Sequence, residues 1–183
     1  MTDFAVRALT VTAATSLVFC WGLSASPSRD GIPVVGTQRL ERLEQLLQAK
    51  PSLESAHSDY LDEIVRMADG LSSLVDGMNW SLREDGQRGC GRAYAGADAD
   101  QVYLNVVFSA PIPDEQWPQA VRIVRDGAVA LSAVDYRNFV SRPGVHVVQM
   151  ASADGGDIWV STAKTARLTA RSDCRLHQPV PAQ

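Results

Sequence analysis

A chain of 183 residues, 45% hydrophobic and 21% charged, holds one ordinary globular domain and is too short for two comfortable ones. Its formal net charge of -4 lacks the basic footprint of a nucleic-acid-binding protein. No GxSxG, HExxH or Walker-type run occurs, so no nucleophile elbow, zinc helix or phosphate loop is announced, and neither cofactor nor metal is expected.

The N-terminus forms a compositional block of its own. No charge falls between Arg7 and Arg29, and Ala8 to Leu23 is almost wholly apolar or small. With the small residues Ser24-Ala25-Ser26 behind it, this is the pattern of a signal peptide, so residues 1–25 are expected to export the chain. If retained, the run from Ala8 to Ala25 is a signal anchor near the lower length limit of a spanning helix. Both readings place the product at the outer face of the cytoplasmic membrane, in the cell envelope. Residues 26–36 mix Pro, Gly and Ser and read as a flexible tether. A single domain over residues 37–176 and a loose tail over 177–183 follow.

Cys20 lies inside the targeting block, which leaves Cys90 and Cys174 as a pair in the exported part. An oxidising compartment favours a disulfide between them, the alternative being two buried free thiols. Neither has a second ligand at a metal-binding spacing.

From Thr37 the period becomes helical, with Leu40, Leu43 and Leu47 on one side and Glu41 and Glu44 on others, until Lys50-Pro51 ends the helix. A second helix starts near Ser52. Its stripe of Leu53, His57, Tyr60, Ile64, Met67, Leu71 and Leu74 alternates steps of four and three, and Asp76-Gly77 is its expected stop. Met78, Trp80 and Leu82 alternate with polar neighbours as a half-buried strand does. Asp85 to Asp100, rich in Gly, Ala and Asp, reads as a loop around Cys90. Gln101 to Ser109 is a strong strand with Val102, Leu104, Val106 and Phe108 on one face.

Asp114 is the expected N-cap of a third helix, with Pro118 in its first turn and Trp117, Ala120, Val121, Val124, Ala128 and Leu131 on its buried face. Strands are then expected at Val134–Val140 and Val145–Ala151, with a hairpin at Asp154-Gly155-Gly156 returning through Ile158–Val160. A last alternation runs from Thr165 to Arg171. The predicted class is α+β: an antiparallel sheet with helices on one face, a two-layer sandwich closed by one disulfide.

Little here announces chemistry. His57 reads as a core or boundary residue, His146 sits among strand valines and His177 lies in the tail; none has a partner at a catalytic spacing. Asp114-Glu115 and Asp154 to Asp157 are accounted for by a cap and a turn. The run Arg88-Gly89-Cys90-Gly91-Arg92 is more distinctive, its glycines freeing the backbone to aim the half-cystine. Arg88 and Arg92, extended by Arg167, Arg171 and Arg175 across the disulfide, form a candidate basic surface patch for anionic lipid headgroups or a cell-wall polymer.

Gly31-Ile-Pro-Val-Val-Gly-Thr-Gln-Arg-Leu, Arg88-Gly-Cys-Gly, Ile112-Pro-Asp with Trp117-Pro, and Ser172-Asp-Cys-Arg-Leu together resemble the LppA/LppV-like lipoproteins of mycobacteria over nearly all of the chain after Gly31. The resemblance implies a secreted, membrane-tethered envelope protein with no assigned enzymatic activity, and two family cysteines matching Cys90 and Cys174. It also implies an acylated cysteine at the end of the apolar run. Cys20 occupies that place behind Leu17-Val18-Phe19, where phenylalanine stands in a position that takes small residues. Without acylation the product is released after Ala25 or held by the uncleaved segment. The leading expectation is a non-enzymatic binding or interaction module with an envelope protein or polymer as partner. The competing ones are an envelope hydrolase or transferase with a site built from scattered residues, and a lipid carrier with an apolar cavity between helices and sheet.

Overall fold

In the computed structural model, residues 34–179 are described; the targeting segment, Cys20 and the tether up to residue 33 lie outside the described residues. The first helix, α1 (Val34–Gln48), begins earlier than the expected Thr37 and stops before Pro51. Ser52 caps α2 (Leu53–Ser72) by accepting a hydrogen bond from the Ser55 N–H at 3.2 Å. The expected stripe is buried at Leu53, Tyr60, Ile64, Met67 and Leu71. The helix stops at Ser72, and a turn through Gly77 covers the remaining distance to the first strand.

The strands are β1 (Trp80–Gly89), β2 (Ala99–Phe108), β3 (Asp135–Arg142), β4 (Val145–Ala151), β5 (Asp157–Thr162), β6 (Ala166–Arg171) and β7 (Arg175–Leu176), with α3 (Trp117–Ala130) between β2 and β3. They form one antiparallel sheet in the order β1-β2-β6-β5-β4-β3, and β7 pairs with β2. Alternation along each strand sends Val102, Leu104, Val106 and Phe108 of β2, Val148 and Met150 of β4, Ile158 and Val160 of β5 and Leu168 of β6 into one core with α2 and α3. Each such aliphatic side chain stabilises the fold by roughly 1.5–3 kcal/mol relative to exposure. The expected fold class, helices on an antiparallel sheet with one disulfide, is what the chain adopts.

Two local readings are corrected. The stretch from Asp85 is no loop: β1 continues to Gly89 in register with β2, Arg88 opposite Gln101 and Gly89 opposite Asp100. Its polar, glycine-rich composition is outweighed by the backbone ladder with a strongly strand-forming partner, after a shift of register between Leu82 and Glu84. Asp114 does not cap α3. The N-cap is Gln116, which makes no side-chain cap hydrogen bond, and the carboxylate of Asp114 instead accepts from the Gly144 N–H at 2.9 Å and meets His146 Nε2 at 2.8 Å. It fastens the β3–β4 hairpin to the start of α3.

Gly156, at the end of the β4–β5 turn, shows how closely helix and sheet approach. A Cβ there would lie 2.8 Å from the Tyr60 hydroxyl of α2 and 3.2 Å from both the Arg171 carbonyl oxygen and the Asp173 N. Gly156→Ala is therefore expected to destabilise the domain by about 1–3 kcal/mol. Adding Tyr60→Phe should recover part of that loss, because it removes one clash and leaves the backbone ones. Denaturant midpoints of the two single variants and the double variant measure this; strict additivity would contradict the contact.

Candidate functional site

Cys90 and Cys174 are joined, with Cα atoms 5.8 Å apart and 84 residues between them in sequence. Closing a loop of that size is worth roughly 4–5 kcal/mol in the chain-entropy description. Gly91 takes a φ of 76°, whereas Gly89 remains in β1, so only one of the flanking glycines supplies the left-handed turn. Around the bond gathers a second, small core: Leu47, Ala99 and Cys174, with Leu43, Tyr94, Ala97 and Leu176 packed on it.

The five arginines proposed as one basic patch are not brought together. Register places Arg88, Arg167 and Arg171 on the sheet face away from α2 and α3, opposite Gln101, Val107 and Tyr103 respectively. Arg88 donates to Glu84 at 2.9 Å and lies over the Tyr103 ring at 3.3 Å; Arg171 donates to Asp157 at 2.6 Å. Arg175 is spent elsewhere, on Asp173 at 2.8 Å and the Pro51 carbonyl at 3.3 Å. Arg92 stands in the 3-10 turn Arg92–Tyr94.

That open sheet face is nevertheless built. One cross-strand row reads Glu84, Asn105, Thr169, Trp159, Gln149, Arg137, and the next includes Tyr103, Arg171 and Asp157. Asn105, Gln149 and Asp157 are buried, although neither α2 nor α3 covers them. The Asp157 carboxylate receives Gln149 Nε2 at 3.1 Å as well as Arg171, and Asn105 Oδ1 has no partner among the described residues. Trp159 packs against Phe139 at 4.9 Å between ring centroids. Tyr103, Asp157, Trp159, Thr169 and Arg171 line a depression of about 360 Å³.

A second concavity of about 580 Å³ lies between α2, the end of α3, the β4–β5 turn and Asp173. It is acidic, lined by Asp59, Asp62, Glu63, Asp154 and Asp173 with Arg66 and Arg175. Burial pushes the Tyr60 hydroxyl on its wall up to about 12, so it stays protonated and is no base at neutral pH. Lys50 bridges Asp173 at 2.5 Å and Asp154 at 3.0 Å beside this cleft. Burial opposes its charge, but the hydrogen bonds to Asp173 and Asp154 hold its pKa above the ordinary lysine value. No histidine lines the cleft, so no serine there has a histidine base to activate it. Among the described residues no group of three or more His, Cys, Asp and Glu side chains could hold a metal ion.

The histidines, which have no sequence-adjacent partner, all meet carboxylates from distant segments. His57 contacts Asp85 at 2.5 Å, and His146 contacts Asp114 while stacking on Trp117 at 4.9 Å. His177 contacts Asp100 at 3.1 Å and Glu54 at 3.3 Å. The start of the tail is thereby fastened to α2 and β2 rather than loose, and Gln178 N–H adds a bond to Glu54 at 2.8 Å.

The family model for LppA, described as a lipoprotein confined to pathogenic Mycobacterium, matches residues 33–178. The chain belongs to the LppA family. Membership in this lipoprotein family assigns it to the cell envelope. The fold is similar to that of LppA from Mycobacterium tuberculosis, at 21% identity with a TM-score of 0.67, covering 81% of this chain and 93% of that one. It is also similar to a DUF4853 family protein from Actinomyces odontolyticus, at 18% identity with a TM-score of 0.51, covering 72% and 73%. No curated protein matches it. Among the described residues of this LppA-family chain, no helix is long and apolar enough to cross a membrane.

His177 gives the LppA-family domain a pH-dependent clasp. Its pKa is raised above 6.5 first by the hydrogen bond to Asp100 and then by that to Glu54, with burial working against them. A folded pKa raised above the unfolded value means stability that is complete below the unfolded pKa and lost as pH rises through the folded one. Glu54, held low by backbone N–H groups including that of Gln178, stays ionised in that window. The loss of Tm caused by His177→Ala should therefore be larger at about pH 5.5 than at about pH 8.5, and an equal loss at both would contradict the clasp.

Proposed function

We propose that this protein is a membrane-tethered, non-enzymatic binding module of the cell envelope, engaging a hydroxyl-rich envelope polymer through its open sheet face. One observation carries the reading. The ring of Trp159 lies in the row beside that of Tyr103, which carries Arg88 over its ring, with Thr169 and the Arg171–Asp157 pair between them, over a face that neither α2 nor α3 covers. Aromatic faces offer flat apolar contact, while a guanidinium and a carboxylate supply donors and acceptors in fixed directions. A ligand with alternating apolar faces and hydroxyl edges satisfies both demands. The shallow form of the site suits one segment of a long polymer better than an enclosed small molecule.

Support for binding over catalysis comes from the acidic cleft, which pairs no nucleophile with a base. The space between helix layer and sheet is filled by packed side chains such as Ile64, Met67, Leu104 and Phe108, which does not favour lipid carriage. Trp159→Ala and Tyr103→Ala are each expected to lower retention on immobilised envelope polysaccharide about tenfold, near 1.4 kcal/mol, with an unchanged circular dichroism spectrum. Retention equal to the unaltered protein's would overturn the reading.

The tether itself is assigned to the N-terminal segment, by acylation of Cys20, since two or more acyl chains anchor stably where one does not. Mass spectrometry of the membrane fraction should find a lipid-modified cysteine at the mature N-terminus, and globomycin should block its processing. An unmodified N-terminus near Ser26 would show instead that the domain is released.

A further inference from the structure

α1 is segregated by charge as well as by hydropathy. At about 100° per residue, Leu40, Leu43 and Leu47 fall on one side, Glu41 and Glu44 on a second, and Arg39 and Arg42 on a third. The leucine side packs on the disulfide cluster. The arginine side stays open and, with Leu43, Leu46, Ala93 and Tyr94, lines a groove of about 480 Å³. Leu46 is 62% exposed there, one of the most exposed large apolar side chains of the domain. Arg39 reaches the Ala93 carbonyl at 3.2 Å, and exposed Arg92 opens the same 3-10 turn. Among the described residues, Arg39, Arg42 and Arg92 have no carboxylate partner, a state they share with Arg83, Arg122, Arg125, Arg137, Arg142 and Arg167; what sets them apart is the exposed Leu46 and the groove beside them.

We propose that this face, Arg39, Arg42 and Arg92 around Leu46 and Tyr94, seats on an anionic bilayer surface and orients the domain on the membrane. The proposal rests on the tethered reading above. Three features select a lipid surface as the occupant. The charge is complementary, although the chain as a whole is acidic. The apolar groups are a leucine and a tyrosine, which partition into the headgroup boundary while arginines reach the phosphates. The helix also begins at Val34, close in sequence behind the segment that would hold the membrane. Each arginine near an anionic surface contributes about fivefold in affinity, so three give on the order of a hundredfold. A tether adds to this by holding the domain at an effective surface concentration of millimolar order.

The full chain, reconstituted into vesicles of phosphatidylcholine alone or of phosphatidylcholine with phosphatidylglycerol, tests this by flotation and amide hydrogen exchange. Exchange in residues 38–46 and 92–94 should slow about tenfold only in the anionic vesicles, while α3 exchanges equally in both. High salt, or the pair Arg39→Glu and Arg42→Glu, should abolish the difference; the salt arm needs no altered protein. Flotation with both vesicle types and identical exchange would overturn the seated face while leaving the tether intact. Flotation only with anionic vesicles, reversed by salt, would support the face and overturn the tether. No flotation with either would overturn both.

Discussion

The covalent bond between Cys90 and Cys174 holds up the part of the domain on which α1 rests. α1 does not enter the main core; its leucines Leu47 and Leu43 lie on the cluster around that bond, and Leu40, half-buried, lies against Gly96. A helix of 15 residues is marginal on its own in water, so its stability is borrowed from the surface under it. That surface exists because the bond fixes the far end of the β1–β2 hairpin against the segment entering β7. Severing it would leave Ala99, Leu176 and Tyr94 without a common frame, while the α2–α3 core has independent grounds for persisting.

The two sheet faces obey different rules. Under α2 and α3 the alternation is apolar and complete, as one buried face of an antiparallel sheet requires. On the other face Asn105, Gln149 and Asp157 are buried although neither α2 nor α3 lies above them, and Asn105 Oδ1 has no partner among the described residues. An unsatisfied buried acceptor costs about 1–3 kcal/mol, which apolar residues at these positions would not incur. Departures of this kind collect at functional surfaces, where a sequence serves recognition at the expense of packing. The Asn105 Oδ1 lies in the cross-strand row that carries Trp159.

What the sequence made legible follows from how local each signal is. The stripe of α2, the alternation of β2 and the Gly-Gly turn before β5 are written in neighbouring residues and needed no tertiary knowledge. β1 beyond Asp85 was not legible, because a strand of glycine, glutamine and arginine owes its form to the ladder offered by β2. Asp114 has the right residue type for a cap, yet a better-placed donor pair in Gly144 and His146 captures it. Of the candidate patch, Arg88, Arg167 and Arg171 share the open sheet face while Arg175 turns to Asp173. The disulfide brings chain segments together without fixing which face their side chains take, and β6 and β7 present Arg171 and Arg175 to different acids. The arginines of α1 carry no signal of their own in the sequence, because a helix repeat marks the buried leucine side and leaves the exposed sides alike.

Asp173 shows how covalent and ionic links converge on one short segment. Adjacent to Cys174 and buried, it sits between Lys50, which follows α1, and Arg175, which opens β7. A buried carboxylate left without its cations costs about 3–5 kcal/mol, so both contacts are obligatory once the disulfide has drawn Asp173 inside. Lys50 extends the same network to Asp154 in the β4–β5 turn, which walls the acidic cleft. The end of α1, the turn and the disulfide segment thus meet at one lysine, firmly at the buried Asp173 and weakly at the exposed Asp154. A displacement of the end of α1 would be felt at the β4–β5 turn and at the disulfide segment through these two contacts of Lys50.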